Sequence, residues 1–128
     1  MKFLFPVFLF LLLNACLHKK VVVNRLEGEW NLEKQLNPDG SYIYYSDVHL
    51  TFSGGKADGK TYLDCSMDSI GIVSQGNYLV SKNGSQLFVN YNLNNVNQRD
   101  TFNIEDMDKK SLVVRNQGIV RFFEKVNE

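Results

Sequence analysis

Leu26-Glu27-Gly28-Glu29-Trp30-Asn31-Leu32-Glu33-Lys34-Gln35-Leu36-Asn37-Pro38-Asp39-Gly40 decides the fold class. Trp30, Leu32 and Leu36 point one way in an extended chain, while Glu29, Asn31, Glu33 and Gln35 point the other. Alternation with a period of two reads as a half-buried strand, because successive side chains leave opposite faces of the pleat. Asn37-Pro38-Asp39-Gly40 then stops the strand. Proline presets φ for a turn and glycine accepts the left-handed exit, so the chain is expected to reverse there.

The same rhythm continues to the C-terminus. Tyr42, Tyr44, Val48, Leu50 and Phe52 mark one face of a long second strand, whose early part, Tyr42-Ile43-Tyr44-Tyr45, is apolar on both faces. Gly54-Gly55-Lys56-Ala57-Asp58-Gly59 breaks it, and Thr61 to Cys65 begins another. Ile70 to Val73 reads as a short apolar run, and Asn77 to Ser81 as a strand with Tyr78 and Val80 on one face. Asn83-Gly84 is a strong hairpin signal, since both residues tolerate positive φ. Leu87, Val89 and Tyr91 alternate on the return strand, and Asn92 to Gln98 reads as a polar loop. Phe102 and Ile104 mark a further strand, and Leu112–Arg115 and Ile119–Val126 pair around Asn116-Gln117-Gly118. No window of a dozen residues after position 26 carries a helical apolar pattern. The expectation is an all-β domain, an antiparallel up-and-down meander of about eight strands. Closing it, or nearly closing it, into a small barrel hides its edge strands.

At the other end of the chain, Met1-Lys2 precedes a wholly apolar run from Phe3 to Leu13. It is too short to span a bilayer, which needs roughly 20 apolar residues, and matches the core of a secretory signal. The run closes on Leu13-Asn14-Ala15-Cys16, which resembles the lipobox of bacterial lipoproteins. That resemblance implies diacylglyceryl transfer to the Cys16 sulfur, cleavage between Ala15 and Cys16, and acylation of the new amino group by a palmitate-type chain. Residues 1–15 are thus expected to be a signal peptide, 16–25 a lipidated N-terminus and basic tether, and 26–128 the barrel. Leu17, rather than Asp, follows the cysteine. By the sorting rules of Gram-negative lipoproteins this implies a lipid-anchored cell-envelope protein of the outer membrane, facing the periplasm.

Composition narrows the functional classes. Fourteen basic side chains balance fourteen acidic ones, and no basic stripe is visible, so nucleic-acid binding has no electrostatic support. Of two cysteines, lipidation of Cys16 leaves Cys65 without a partner, and the fold must rest on apolar burial. Cys65 sits in a strand-like stretch without an adjacent histidine or basic residue, which reads as an inert buried thiol.

Leu26-Glu27-Gly28-Glu29-Trp30-Asn31-Leu32 resembles the first-strand G-x-W motif of lipocalins, and the opening of the small lipocalin-like lipoproteins of Bacteroidetes. In that family the chain ends in an aromatic-basic strand, here Arg121-Phe122-Phe123-Glu124-Lys125. The resemblance implies a lipocalin-like barrel in which Gly28, Trp30 and Arg121 are structural, Arg121 packing on the Trp30 ring, with Arg115 as the second choice. An eight-stranded barrel has room for one small ligand or for side chains alone. Trp30, Tyr42, Tyr44, Phe52, Tyr78 and Tyr91 are the candidate ligand-binding residues for a small apolar molecule, although the same aromatics serve equally as core.

Two other classes compete. A protein-interaction or inhibitor module of the envelope would use Tyr45, the 92–98 loop or the segment from Asp64 to Asp68. An enzyme has the least support. Asp47 and His49 share a strand face, but an adjacent Asp/His pair lacks the nucleophile–base–orienter arrangement of a triad. Asp64, Asp68, Asp106 and Asp108 suit turns better than calcium, since no twelve-residue calcium loop with its closing Glu is present. No catalytic residue, cofactor or metal is therefore expected.

Overall fold

The computed structural model describes residues 19–54, 63–93 and 95–126. Residues 1–18, which include the expected signal peptide and Cys16, and residues 55–62, 94 and 127–128 lie outside the described residues. Among the described residues, nine strands run in sequence order: β1 (Gly28–Leu36), β2 (Tyr42–Tyr44), β3 (Val48–Phe52), β4 (Leu63–Ser69), β5 (Ile72–Val80), β6 (Gln86–Leu93), β7 (Val96–Met107), β8 (Ser111–Asn116) and β9 (Ile119–Lys125). Every pairing is antiparallel, and β1 also pairs with β9, which closes the sheet. β2 and β3 follow one another along the edge of β1 opposite β9, so nine strands make a closed barrel of eight staves.

The long second strand expected over 42–52 is thus interrupted at residues 45–47. Its partner explains the break. A bulge on β1 between Leu32 and Lys34 adds one residue, and Glu33 there accepts the Tyr45 amide at 3.0 Å. A bulge also reverses the side-chain phase beyond it. Gln35, expected to face solvent, is therefore buried, while Leu36 is only half-buried. Gln35 is satisfied inside. Its Nε2 donates to Asn37 Oδ1 at 2.9 Å and its Oε1 accepts the Tyr45 hydroxyl at 3.3 Å.

Two further expectations change. The short apolar run from Ile70 to Val73 divides between a turn and the start of β5. Ile70 and Gly71 are the two central residues of a tight turn, with Ser69 paired to Ile72 and both turn residues at positive φ (54° and 83°). The polar 92–98 segment is ladder rather than loop. β6 runs to Leu93, β7 starts at Val96, and Asn92 pairs with Asn97. Polar side chains cost nothing on a strand that projects past the core into water, which is why composition misled there. The Asn83-Gly84 turn falls where expected, but among its two residues only Gly84 takes positive φ.

Residues 19–26 are helical, although 16–25 reads from the sequence as a tether. Val22, Val23 and Leu26, spaced as one face of a helical turn, are buried in the same core cluster as Trp30, Phe52 and Tyr78. Leu26 accepts the Trp30 indole N–H at 2.8 Å through its backbone carbonyl. Arg25 reaches the carbonyl of Met107 at 3.4 Å, and the Lys125 ammonium donates to the Arg25 carbonyl at 3.0 Å. These contacts lay the helix across one end of the barrel, between the start of β1 and the ends of β7 and β9.

Candidate functional site: a half-filled barrel interior

The plugged end is solid. Trp30 and Tyr78 are fully buried, and the Tyr78 ring meets Phe52 edge-on at 5.0 Å. The Tyr78 hydroxyl donates to the Ser53 carbonyl at 2.6 Å, and burial holds its pKa well above the ordinary phenol value. Lys125, not Arg121, covers the Trp30 ring, with Nζ 5.4 Å from the centroid. The register explains the exchange. Lys125 is the residue of β9 opposite Trp30, whereas Arg121 lies opposite Gln35, beyond the bulge. Gly28 makes room for this contact. Its φ of +123° is one that L side chains rarely adopt, and a Cβ there would stand 3.0 Å from Lys125 Cε.

Toward the opposite end the barrel is hollow. A cavity of about 360 Å³ runs up from Phe52, Leu112 and Phe123 between walls of Leu50, Val89 and Phe102. This size lies at the small end of the range for organic-ligand clefts. Higher up, the lining turns polar, with Tyr91, Asp100, Asn116 and Arg121. The Tyr91 hydroxyl donates to Asp100 Oδ2 at 2.8 Å, and this bond raises the phenol pKa. Asn116 gives its amide to the Thr101 carbonyl at 2.8 Å. Cys65 is half-buried in the wall. Burial, with Asp64 nearby, pushes its thiol up to about 11, so it stays protonated at neutral pH and is a poor nucleophile.

The six aromatic candidates therefore divide into three pairs. Phe52 and Tyr91 line the cavity. Trp30 and Tyr78 are buried core at the plugged end and are not among the cavity residues. Tyr42 and Tyr44 lie outside the barrel on β2, Tyr44 being 74% exposed, with rings stacked 6.1 Å apart. Their shared apolar character hid this difference in direction. Tyr45, expected on the surface, is the one that packs against the core. His49 bonds Asn31 across the β1–β3 ladder and stands 3.8 Å from Glu29, so its neighbours differ from the Asp47 partner considered from sequence. Asp68 and Asp108 accept backbone amides in turns, from Gly71 at 2.9 Å and from Lys110 and Ser111 at 2.8 Å. Asp100 and the interior place of Arg121 were missed. Asp100 does fall in phase with Phe102 and Ile104, and that phase was the available sign that a carboxylate enters the barrel.

The fold class is a small lipocalin-like β-barrel. The chain is similar in structure to a lipocalin-like protein from Bacteroides uniformis, with a TM-score of 0.62 and 20% identity over 80% of this chain and 99% of that one. It is also similar to an uncharacterized protein from Bacteroides eggerthii, with a TM-score of 0.59 and 14% identity over 79% of this chain and 99% of that one. No family model matches the sequence, and no curated protein matches it.

Proposed function

We propose that the protein is a lipid-anchored lipoprotein of the cell envelope whose barrel carries one small apolar ligand. The observation that carries this reading is the cavity: about 360 Å³ of interior, walled by Leu50, Val89, Phe102 and Phe123, beside a core packed solid at its other end. A domain that needed only stability would gain by filling that space, since each unfilled apolar volume costs packing energy. The role is binding. It asks no covalent chemistry of the chain, and the raised Cys65 pKa suits an inert wall.

The proposed anchor adds an orientation. Three residue steps separate Cys16 from Lys19, the first described residue, at most roughly 11 Å of chain. The helix crosses the closed end, so lipid on Cys16 sets that end toward the membrane and the mouth away from it, toward the periplasm for an outer-membrane protein. Ligand then exchanges with the aqueous side rather than with the bilayer beneath.

Native mass spectrometry of the domain from residue 19 onward, extracted mildly, tests the binding role. The expected result is a small molecule that leaves on unfolding and is missing from Val89→Phe, which fills the cavity. An empty wild-type barrel that also fails to take up an apolar dye would overturn it. For the anchor, Cys16→Ser should move the protein from the membrane fraction to the soluble one, and unchanged fractionation defeats the lipoprotein reading.

A second reading, capture of an envelope protein, is favoured by one observation. Ile70 and Ile72 are 78% and 72% exposed at the β4–β5 tip, and Ile70 holds a backbone conformation that is costly for a β-branched residue. Replacing both with Asn should release a co-purifying protein if that reading holds, while the cavity ligand stays.

A further inference from the structure

The two ends of the barrel differ in charge as well as in packing. At the closed end, the described segments that project past the ladders are the helix at 19–26 with Glu27, the β5–β6 turn at 81–85 and the β7–β8 turn at 108–110. Their charged side chains are Lys19, Lys20, Arg25, Lys82, Lys109 and Lys110, against Glu27 and Asp108. At the mouth, the described turns at 37–41, 45–47, 70–71 and 117–118 carry Asp39 and Asp47 and no cation.

The cations of the closed end point outward, and the carboxylates near them do not. Lys20, Lys82, Lys109 and Lys110 are exposed. Asp108 folds back on its own turn, accepting the amides of Lys110 and Ser111 at 2.8 Å, and Glu27 lies against Gly54. Glu105 is paired with Arg115 at 2.7 Å. Glu29, Asp64, Asp106 and Glu124 sit within the ladders, so their side chains leave the wall sideways rather than past its end. The bond from Arg25 to the Met107 carbonyl holds the helix beside the β7–β8 turn, so both present their lysines on one end face. Because Val22, Val23 and Leu26 face the core, the outer side of the helix carries Lys20, Val21 and Asn24, with Val21 38% exposed. Like charges gathered on one face repel each other and add nothing to the fold. Lysines beside an exposed aliphatic residue instead suit the headgroup boundary of a bilayer.

Resting on the anchor reading above, we propose that the closed end docks on an anionic phospholipid surface, with Lys20, Lys82, Lys109 and Lys110 against its headgroups. The position of Cys16 points to this occupant. A lipid there is at most roughly 11 Å of chain from Lys19, comparable to the Debye length of about 10 Å at roughly 0.1 M salt. The lipid holds the protein at the membrane, and the lysines set which face it shows. Asp39 and Asp47, at the mouth, are then kept farthest from the like-charged surface.

Vesicle co-sedimentation tests this on the chain from residue 19 onward, which holds the helix, every described strand and the whole core cluster. Cooperative unfolding followed by Trp30 fluorescence checks that it and each variant are folded. Vesicles of phosphatidylcholine and phosphatidylglycerol, mixed roughly 2:1, should bind it at least about 10-fold more tightly than phosphatidylcholine alone. Raising salt from roughly 0.05 M to roughly 0.5 M should remove that preference. Lys109→Gln with Lys110→Gln should weaken binding to the mixed vesicles about 25-fold, about fivefold per lysine. Lys34→Gln with Arg99→Gln takes the same charge from the side wall and should change binding less than about twofold. Equal partitioning onto the two kinds of vesicle, including none onto either, overturns the proposal. So does binding that survives the loss of Lys109 and Lys110, or that falls equally in the wall variant. Retention on immobilised polyglutamate without binding to the mixed vesicles overturns it as well, and assigns the face to an acidic protein. Residues 1–18 are absent from the chain tested, so these outcomes leave the anchor itself to the fractionation of Cys16→Ser.

Discussion

At the plugged end of the barrel, Trp30, Tyr78, Phe52 and Leu26 fill the interior, and even the polar atoms of Trp30 and Tyr78 are bonded to backbone carbonyls. At the mouth, β6, β7 and β9 carry Tyr91, Asp100 and Arg121 around open space. Both ends follow one rule of construction, alternate residues turned inward on antiparallel strands. They differ in what supplies volume. One end receives a helix and the largest side chains, and the other receives neither. Stability is therefore concentrated at the helix end, and open volume is left at the end whose polar residues would make a poor core.

Substitutions can break this division or sharpen it. The largest effect is expected from Trp30→Ala, which should cost about 3–5 kcal/mol in chemical denaturation. A loss below about 1 kcal/mol would mean that the closed end is not where stability resides. At the opposite rim, Ile70→Asn should raise stability by about 1–2 kcal/mol, because Asn accepts the left-handed conformation that Ile70 holds at φ 54°. Denaturation midpoints check this, and a loss would show that the exposed isoleucine is structurally required. Val89→Phe should change stability by no more than about 1 kcal/mol, since the added ring enters empty space, yet it should abolish ligand uptake. A strongly destabilised variant would mean the open half is already packed.

The smallest effect concerns Cys65, whose alkylation at pH 8 should be slow, accelerate toward pH 11 and be suppressed by bound ligand. The sign for stability follows from the raised thiol pKa. The native state favours the protonated thiol, so its contribution is intact below about 9 and declines as pH rises from there through about 11. Fast alkylation at neutral pH would show an open, solvated wall instead.

Much of the barrel was readable because alternation and turn chemistry are local. The Trp30/Leu32 phase, the Asn37–Gly40 reversal and the Asn116–Gly118 hairpin needed no knowledge of neighbouring strands. The errors came where a partner strand intervenes. The bulge at Glu33 turned Gln35 inward, and the β1–β9 register set Lys125 rather than Arg121 over Trp30, neither of which is encoded in those residues' own sequence context. The valine-rich segment before β1 reads as a linker until a barrel end exists for Val22, Val23 and Leu26 to cover, at which point helix formation buries all three. For the site, Phe52 and Tyr91 were legible as aromatic, inward-phased residues, whereas Tyr42 and Tyr44 looked identical and ended outside.

The sequence by itself determined an antiparallel β meander with a G-x-W first strand, because side-chain period and turn residues act over a few positions. Tertiary structure alone decided that the barrel closes through β1 and β9, that a helix plugs one end, and that a cavity lined at its mouth by Tyr91, Asp100 and Arg121 remains at the other. Those outcomes depend on how volumes and registers from distant strands add up, and no local pattern records that sum.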